Sequence, residues 1–304
     1  MTKAAKRDVR KLVPTKTTPA EGARFPMLLS YAYLRKMSDD QLAWIFGNPH
    51  VEFLIDSGGF TALNAGEEIP LSDYIAWLHK WKEKLFGYVA LDKLGDPETS
   101  DRQLQVMLKE GLKPVPVHVR GDDEARMDQL FEWSDWVAQG GFRRPHKGWG
   151  SVEYVKQKMH WAKGRNVHWL GYTRSDMVLG FRPYSCDSSN QAAGRIWGQC
   201  QVYRGLGKIQ SGRHHDWLAR PFDLGLANLV AAAGFTRNDF YNKQLWRSTG
   251  VPLTRFVPNE VSICSWVRYT REMRERVGTR YFQATTPSFT GRLFYWIDKT
   301  LPIQ

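Results

Sequence analysis

This chain is predicted to be an α/β protein in which parallel strands and helices alternate as in a (β/α)8 barrel. Three observations predict it. Between Phe25 and Asp187, short runs rich in Val, Ile, Leu and Tyr alternate with segments of helical apolar spacing. Polar or glycine residues stand just past most of those runs, as Asp56-Ser57-Gly58-Gly59, Asp92, His118, Gln139-Gly140-Gly141, Gly171 and Asp187. In a barrel such positions converge on one mouth, where active sites sit. A chain of 304 residues, 42% hydrophobic, can bury a core of that size and is too apolar for disorder.

The elements follow in order. Phe25–Leu34 reads as the first strand, and Ser38-Asp39-Asp40-Gln41 forms a capping box opening a helix through Phe46. Phe53–Asp56 is the second strand, ended by the glycine pair. Tyr74, Ile75, Leu78, Trp81 and Leu85 space out a helix over 72–85. Strands at 88–92 and 114–119 flank a helix over 99–110, and Pro114 and Pro116 limit the hydrogen bonding of the fourth strand. A helix over 122–131, a fifth strand over 136–142, a helix over 152–163 and a sixth strand over 167–172 continue the alternation. A short helical link at 176–179 leads to a seventh strand over 182–187. For the eighth, Val202-Tyr203 and Lys208-Ile209-Gln210 are the candidates. Residues 193–220, rich in Gly, Arg, His and Trp with little period, read as a basic surface loop. Beyond it lie helices over 224–233 and 260–277, the second with a stripe of Arg268, Arg271, Arg274 and Arg276. Residues 281–286 and 292–297 read as peripheral strands or an extended tail. The expected division is a basic N-terminal arm (1–24), a barrel with its basic loop (25–223), and C-terminal helices and strands that complete or cover it (224–304).

Lys and Arg outnumber Asp and Glu by 43 to 31, a formal charge of +12. A basic face of that kind binds polyanions, nucleic acid first. No apolar run reaches the roughly 20 residues that cross a bilayer, and no apolar stretch follows the basic N-terminus as in a secretory signal. The expectation is a cytoplasmic protein without a membrane partner. Cys186, Cys200 and Cys264 match no zinc spacing, so neither metal nor other cofactor is expected.

Asp56 and Asp187 are the catalytic candidates. The glycines after Asp56 let the backbone turn sharply and approach a flat heterocycle, whose ring N–H groups a carboxylate accepts. Asp187 ends the seventh strand among Ser185, Ser188, Ser189 and Asn190, hydroxyl and amide side chains suited to orienting a carboxylate. Asp92 is a third acid for the same mouth. Two carboxylates across one pocket suit glycosyl transfer, one attacking the anomeric carbon and the other handling protons. With a basic surface, the sugar is expected inside a nucleic acid, whose base must leave the stack. Cys186, next to Asp187 on a strand, faces the opposite way and is read as packing.

Asp56-Ser57-Gly58-Gly59-Phe60 resembles the Asp-Ser-Gly-Gly-Phe signature of the tRNA-guanine transglycosylase superfamily. Asp187-Ser188-Ser189-Asn190 is similar to its nucleophile motif, and Gln139-Gly140-Gly141 to its base-contacting stretch on the fifth strand. The resemblance spans roughly residues 25 to 215 and implies a TIM barrel that exchanges guanine for a 7-deazaguanine by covalent double displacement. It implies Asp187 as nucleophile at C1′ and Asp56 in base recognition and proton transfer. Asp92, Gln139, Gly140, Gly141, Ser57, Gly58, Gly59 and Phe60 would surround the base. The superfamily's Cys-x-Cys-x-x-Cys zinc cluster is missing, as is an appended RNA-binding domain. The chain therefore looks most like the zinc-free, DNA-modifying branch of phages and genomic islands, which implies host-cell cytoplasm if phage-encoded. The implied partners are double-stranded or locally opened DNA, a free base such as 7-cyano-7-deazaguanine, and a helper protein that opens the duplex. Arg195, Lys208, Arg213 and His214 are the candidate phosphate contacts near the mouth, with Arg271 and Arg274 more remote, and Trp197 and Trp217 are the candidate stacking platforms. The rival readings are a zinc-free enzyme acting on tRNA, a glycoside hydrolase using the same carboxylates, and a non-catalytic nucleic-acid-binding scaffold.

Overall fold

The computed structural model describes residues 24–300 except 94, 120, 143–151 and 248; the side chains of Phe60 and Leu63 also lie outside the described residues. Eight strands form one parallel sheet: β1 (Phe25–Ser30), β2 (Val51–Asp56), β3 (Gly87–Tyr88), β4 (Val117–His118), β5 (Trp136–Gln139), β6 (Asn166–Trp169), β7 (Ser185–Ser188) and β10 (Arg280–Thr285). The order across the sheet is β3-β2-β1-β10-β7-β6-β5-β4. Helices follow most of these strands, and the sheet curls into a barrel-like wall. Its edges meet at a single parallel bridge between Val89 and Val115, where Val115 N–H donates to Tyr88 O (2.8 Å) and Ala90 N–H to Val115 O (2.9 Å). The sequence explains why no longer ladder joins them. Pro114 and Pro116 flank Val115, and neither has an N–H to offer β3. On its other side β4 pairs normally, with Ala138 N–H donating to Pro116 O (2.9 Å).

Inside the curl lies a small apolar cluster of Leu28, Leu54, Val89 and Phe282, joined by Phe86, Val117, Trp136 and Ala284. These residues come from β1, β2, β4, β5 and β10 and the segment around β3, so side chains fill the interior as a floor. The larger apolar clusters lie outside, between the sheet and its helices. At about 1.5–3 kcal/mol for each large side chain buried, this layering fixes which face of every strand points inward.

The eighth strand is the principal correction. It is β10, drawn from the segment read as peripheral or tail, and it inserts between β1 and β7. The sheet is therefore continuous across the boundary expected at residue 223. The two candidates for that position instead form a separate antiparallel hairpin, β8 (Cys200–Tyr203) and β9 (Ile209–Gly212). The hairpin lies on the helix Val257–Glu272, where Gln201 N–H and Tyr203 N–H donate to the hydroxyls of Ser262 (3.0 Å) and Ser265 (3.1 Å). Helix serines thus cover an edge that would otherwise need another strand. The irregular loop expected over 193–220 is this hairpin with two short helices, Ala193–Trp197 and His214–Leu218. Residues 292–297 are helical too, within Pro287–Lys299. The buried carboxylate of Glu260 ties that helix to Val257–Glu272, accepting from Arg292 Nε (2.9 Å) and Trp296 Nε1 (2.9 Å). The first strand stops at Ser30 and passes into a one-turn helix, Tyr31–Leu34, while the capping box at Ser38 and Gln41 forms as read. The N-terminal arm, apart from Arg24, lies outside the described residues.

Candidate active site

β2 carries Asp56 to the mouth. Strand alternation places it two residues past Leu54 of the interior floor, so its side chain also points inward. Asp187 stands two residues past Ser185 on β7 in the same way. Between β2 and β7 lie β1 and β10, three strand spacings or ~14 Å along the wall, and the inward side chains shorten that span across the mouth. Asp92 follows β3.

The turn after Asp56 is built around Gly58. Its φ of +80° favours glycine, and a Cβ there would lie 2.7 Å from both the Cβ and the N of Ala32. Gly58 N–H donates to Asp56 Oδ2 at 3.0 Å. Ser57 is buried, and a Cβ on Gly59 would sit 3.1 Å from the carbonyl oxygen of Asp92, so the turns after β2 and β3 touch. The backbone of Phe60 lies in the first turn of the short helix Gly59–Asn64. Burial first, and then the negative charges of Asp92 and Asp187, push the Asp56 carboxyl from 3.8 up to about 7. Burial likewise raises Asp92. Near neutrality Asp56 therefore divides between acid and carboxylate, the condition for moving a proton in either direction.

Asp187 sits in a different setting. Its Oδ1 accepts from Gly171 N–H (2.8 Å) and lies 3.1 Å from Nε2 of His168, a wholly buried residue of β6. His168 Nδ1 in turn is 2.8 Å from Ser185 Oγ. Oδ2 takes no hydrogen bond among the described residues. Ser185, expected among the hydroxyls suited to orienting Asp187, is linked to it through the imidazole. The sequence reading missed His168. The available signal was a polar residue in an apolar strand whose cross-strand partner is Ser185.

The stretch at the end of β5 is only partly at the mouth. Gln139 is buried, and its side chain accepts from Trp169 Nε1 (3.0 Å) and donates to the Lys158 carbonyl (3.2 Å), so it faces the helix layer rather than a base. Gly140 N–H is held by His118 O at 2.9 Å, while Gly141, with φ +78°, is exposed where β5 ends. His118, placed at the mouth by sequence, also faces outward. Its ring meets Asp123 O (2.9 Å) and Lys158 Nζ (2.7 Å) behind the wall. Burial pulls its pKa down to about 4 and that of Lys158 down to about 8.

The basic candidates separate into three groups. Arg195 and Arg213 stand at the mouth end. Arg195 lines a groove of about 850 Å3 with Tyr33, Trp44, Thr286 and Ser288, which follow β1 and β10. Arg213 is exposed just past β9, where the hairpin returns to Cys200. Lys208 lies at the opposite end of the hairpin. Neighbouring Leu206 N–H binds Glu272 Oε1 (3.0 Å), at the far end of a 16-residue helix about 24 Å long. Arg274 is likewise at the far end, holding Glu52 Oε1 (2.6 Å) at the start of β2. His214 and Arg271 are structural. His214 bonds the Tyr241 carbonyl (2.9 Å), and Arg271 donates to the Ile297 carbonyl (3.0 Å) at the end of the last helix. Lys208, expected near the mouth, is corrected away from it, and the His214 ring is engaged by the backbone of Tyr241; Arg271 and Arg274, expected to be more remote, are tied to backbone and to Glu52. Trp217 is buried with its indole N–H on Gly212 O (3.0 Å), so it packs the hairpin, whereas Trp197 is 65% exposed.

Cys186 is buried among Trp266, Tyr269 and Tyr281, and burial holds its thiol well above the ordinary value, in keeping with a packing role. Among the described residues no group of three or more His, Cys, Asp or Glu could hold a metal ion, and no helix is long and apolar enough to cross a membrane. Compared with models of known protein families and with curated proteins, the chain matches none.

Proposed function

We propose that this protein is a transglycosylase that replaces guanine in DNA with a 7-deazaguanine through a covalent aspartyl–deoxyribose intermediate, within a complete (β/α)8 barrel whose seam is the Val89–Val115 bridge. The observation that carries the reading is the unequal pair of acids at one mouth. Asp56 is held near half-protonation at about pH 7, and Asp187 is fixed through one oxygen with the other unengaged among the described residues. Double displacement needs that division of labour.

In the first half-reaction an Asp187 oxygen donates an electron pair to C1′, and the C1′–N9 bond breaks with its pair going to guanine. The neutral carboxyl of Asp56 supplies the proton the departing base requires. In the second half-reaction the incoming 7-deazaguanine gives its N9 proton to the Asp56 carboxylate. Its N9 attacks C1′, and the ester pair returns to Asp187. Protons and charge balance over the cycle, and no cofactor is consumed. Gly58 and Gly59 let the heterocycle approach the backbone beside Asp56. Exposed Trp197 and the groove of Tyr33, Trp44 and Arg195 suit a strand whose target base has left the stack. The formal charge of +12 supports a nucleic acid over a neutral oligosaccharide.

The test supplies the enzyme with duplex DNA carrying radiolabelled guanine and with unlabelled 7-cyano-7-deazaguanine. Release of labelled guanine by the wild type and none by Asp187→Asn supports the reading. Release from tRNA alone would reassign the substrate, and no release from either would overturn the exchange chemistry.

A further inference from the structure

We infer that His168 is a positioning residue for Asp187 and that it selects Oδ2 as the attacking oxygen. This rests on the base-exchange reading above. Among the described residues, both hydrogen-bond partners of the Asp187 carboxylate meet one atom, with Gly171 N–H and His168 Nε2 at 2.8 and 3.1 Å from Oδ1. A carboxylate oxygen that accepts two hydrogen bonds has its lone pairs engaged and its charge dispersed. The other oxygen keeps its lone pairs for C1′.

The tautomer follows from the partners. A carboxylate has only lone pairs to offer, so Nε2 carries the hydrogen. In the neutral ring Nδ1 is then an acceptor, and the Ser185 hydroxyl, 2.8 Å away, donates to it. The relay runs from Ser185 Oγ–H to Nδ1, and from Nε2–H to Oδ1. Ser185 and Asp187 lie on the same face of β7, two residues apart, and His168 is the cross-strand partner of Ser185 on β6. The ring is wedged edge-on against Trp136 and Phe282, each with centroids 6.0 Å away, so it has little room to rotate. A buried imidazole with both nitrogens engaged and no freedom to turn fixes the plane of the carboxylate it touches.

Three variants and one spectroscopic measurement test this. His168→Gln keeps an N–H donor near the Nε2 position, His168→Phe fills the same aromatic slot without a donor, and Ser185→Ala removes the hydrogen bond that sets the tautomer. Base exchange is measured on duplex DNA with 7-cyano-7-deazaguanine. His168→Phe is expected to lower kcat roughly 10- to 100-fold with KM for DNA within about twofold, since misaimed groups cost rate more than binding. His168→Gln should recover most of that loss, and Ser185→Ala should lose about 3- to 10-fold with the fold intact. Equal losses in the Gln and Phe variants, or losses in KM alone, would overturn the inference. Imidazole 15N shifts of His168 give an arm independent of activity. The expected signature is a protonated Nε2 and an acceptor Nδ1, with the Nε2–H resonance displaced in Asp187→Asn. A protonated Nδ1 with a bare Nε2 refutes the positioning role even if base exchange proceeds. The expected 15N signature in a protein that exchanges no base on any nucleic acid leaves the relay standing and refutes the functional reading.

Discussion

Replacing Asp56 with Asn should make the protein more stable, and by an amount that grows with pH. The carboxyl is raised from 3.8 to about 7, chiefly by burial and then by Asp92 and Asp187. In the unfolded chain it titrates near 3.8, so between pH 4 and 7 the folded state holds the proton that the unfolded state has released. A state that binds more protons is weakened as pH rises. The stability associated with Asp56 is therefore full below pH 4, falls through the window from 4 to 7, and levels off above it. A shift of about 3 units at about 1.4 kcal/mol each sets a ceiling of about 4 kcal/mol. The side chain keeps some contact with solvent at the mouth, which lowers the expected gain at pH 8 to about 1–3 kcal/mol. Asn retains an oxygen for Gly58 N–H, so the turn is preserved. Urea unfolding of both proteins at pH 4.5, 6 and 8 measures the difference, which should be smallest at the lowest pH and largest at the highest. An Asn variant no more stable than the wild type at pH 8, or a difference that ignores pH, would refute the burial of the Asp56 carboxyl beside Asp92 and Asp187.

Other consequences are as direct. Gly58→Ala forces a Cβ to within 2.7 Å of Ala32 at a φ of +80°, and should cost about 2–4 kcal/mol in urea unfolding. Arg195→Ala and Arg213→Ala should each weaken DNA binding and reduce the log–log salt slope by about 0.9, whereas Lys208→Ala, at the far end of the hairpin, should change neither. Arg274→Ala leaves the buried Glu52 with a weaker partner in Arg280, at 3.5 Å, and should lower stability by about 1–3 kcal/mol without altering DNA affinity.

The part of the fold legible in sequence was the part governed by local signals. The capping box at Ser38 and Gln41, the glycine turn after Asp56 and the run of seven strands all announce themselves within a few residues. The eighth strand did not. Arg280–Thr285 becomes a strand of the curled sheet only after the hairpin β8–β9 and the helix Val257–Glu272 intervene, and no short-range pattern separates an inserted strand from a tail. Position along the strand direction was equally hidden. Arg271 lies on the helix Val257–Glu272 with exposed Arg268, and Arg274 on the π-helical turn Met273–Val277 that continues it, yet one ends in the carbonyls of the last helix and the other on Glu52, a partner 222 residues away. Strand-end position did put Asp56 at the end of β2 and Asp187 near the end of β7. Side-chain direction was beyond it, so Gln139 and His118 were read as facing inward and His168 was passed over.

The most direct measurement of the account is the capture of its intermediate. Wild-type protein incubated with guanine-containing duplex DNA and no incoming base, then denatured and digested, should yield a peptide spanning Asp187 with a deoxyribose ester at that carboxylate. Adding 7-cyano-7-deazaguanine before denaturation should discharge the ester into modified DNA, and Asp187→Asn should form none. An adduct on any other residue, or modified DNA produced by Asp187→Asn, would contradict the account.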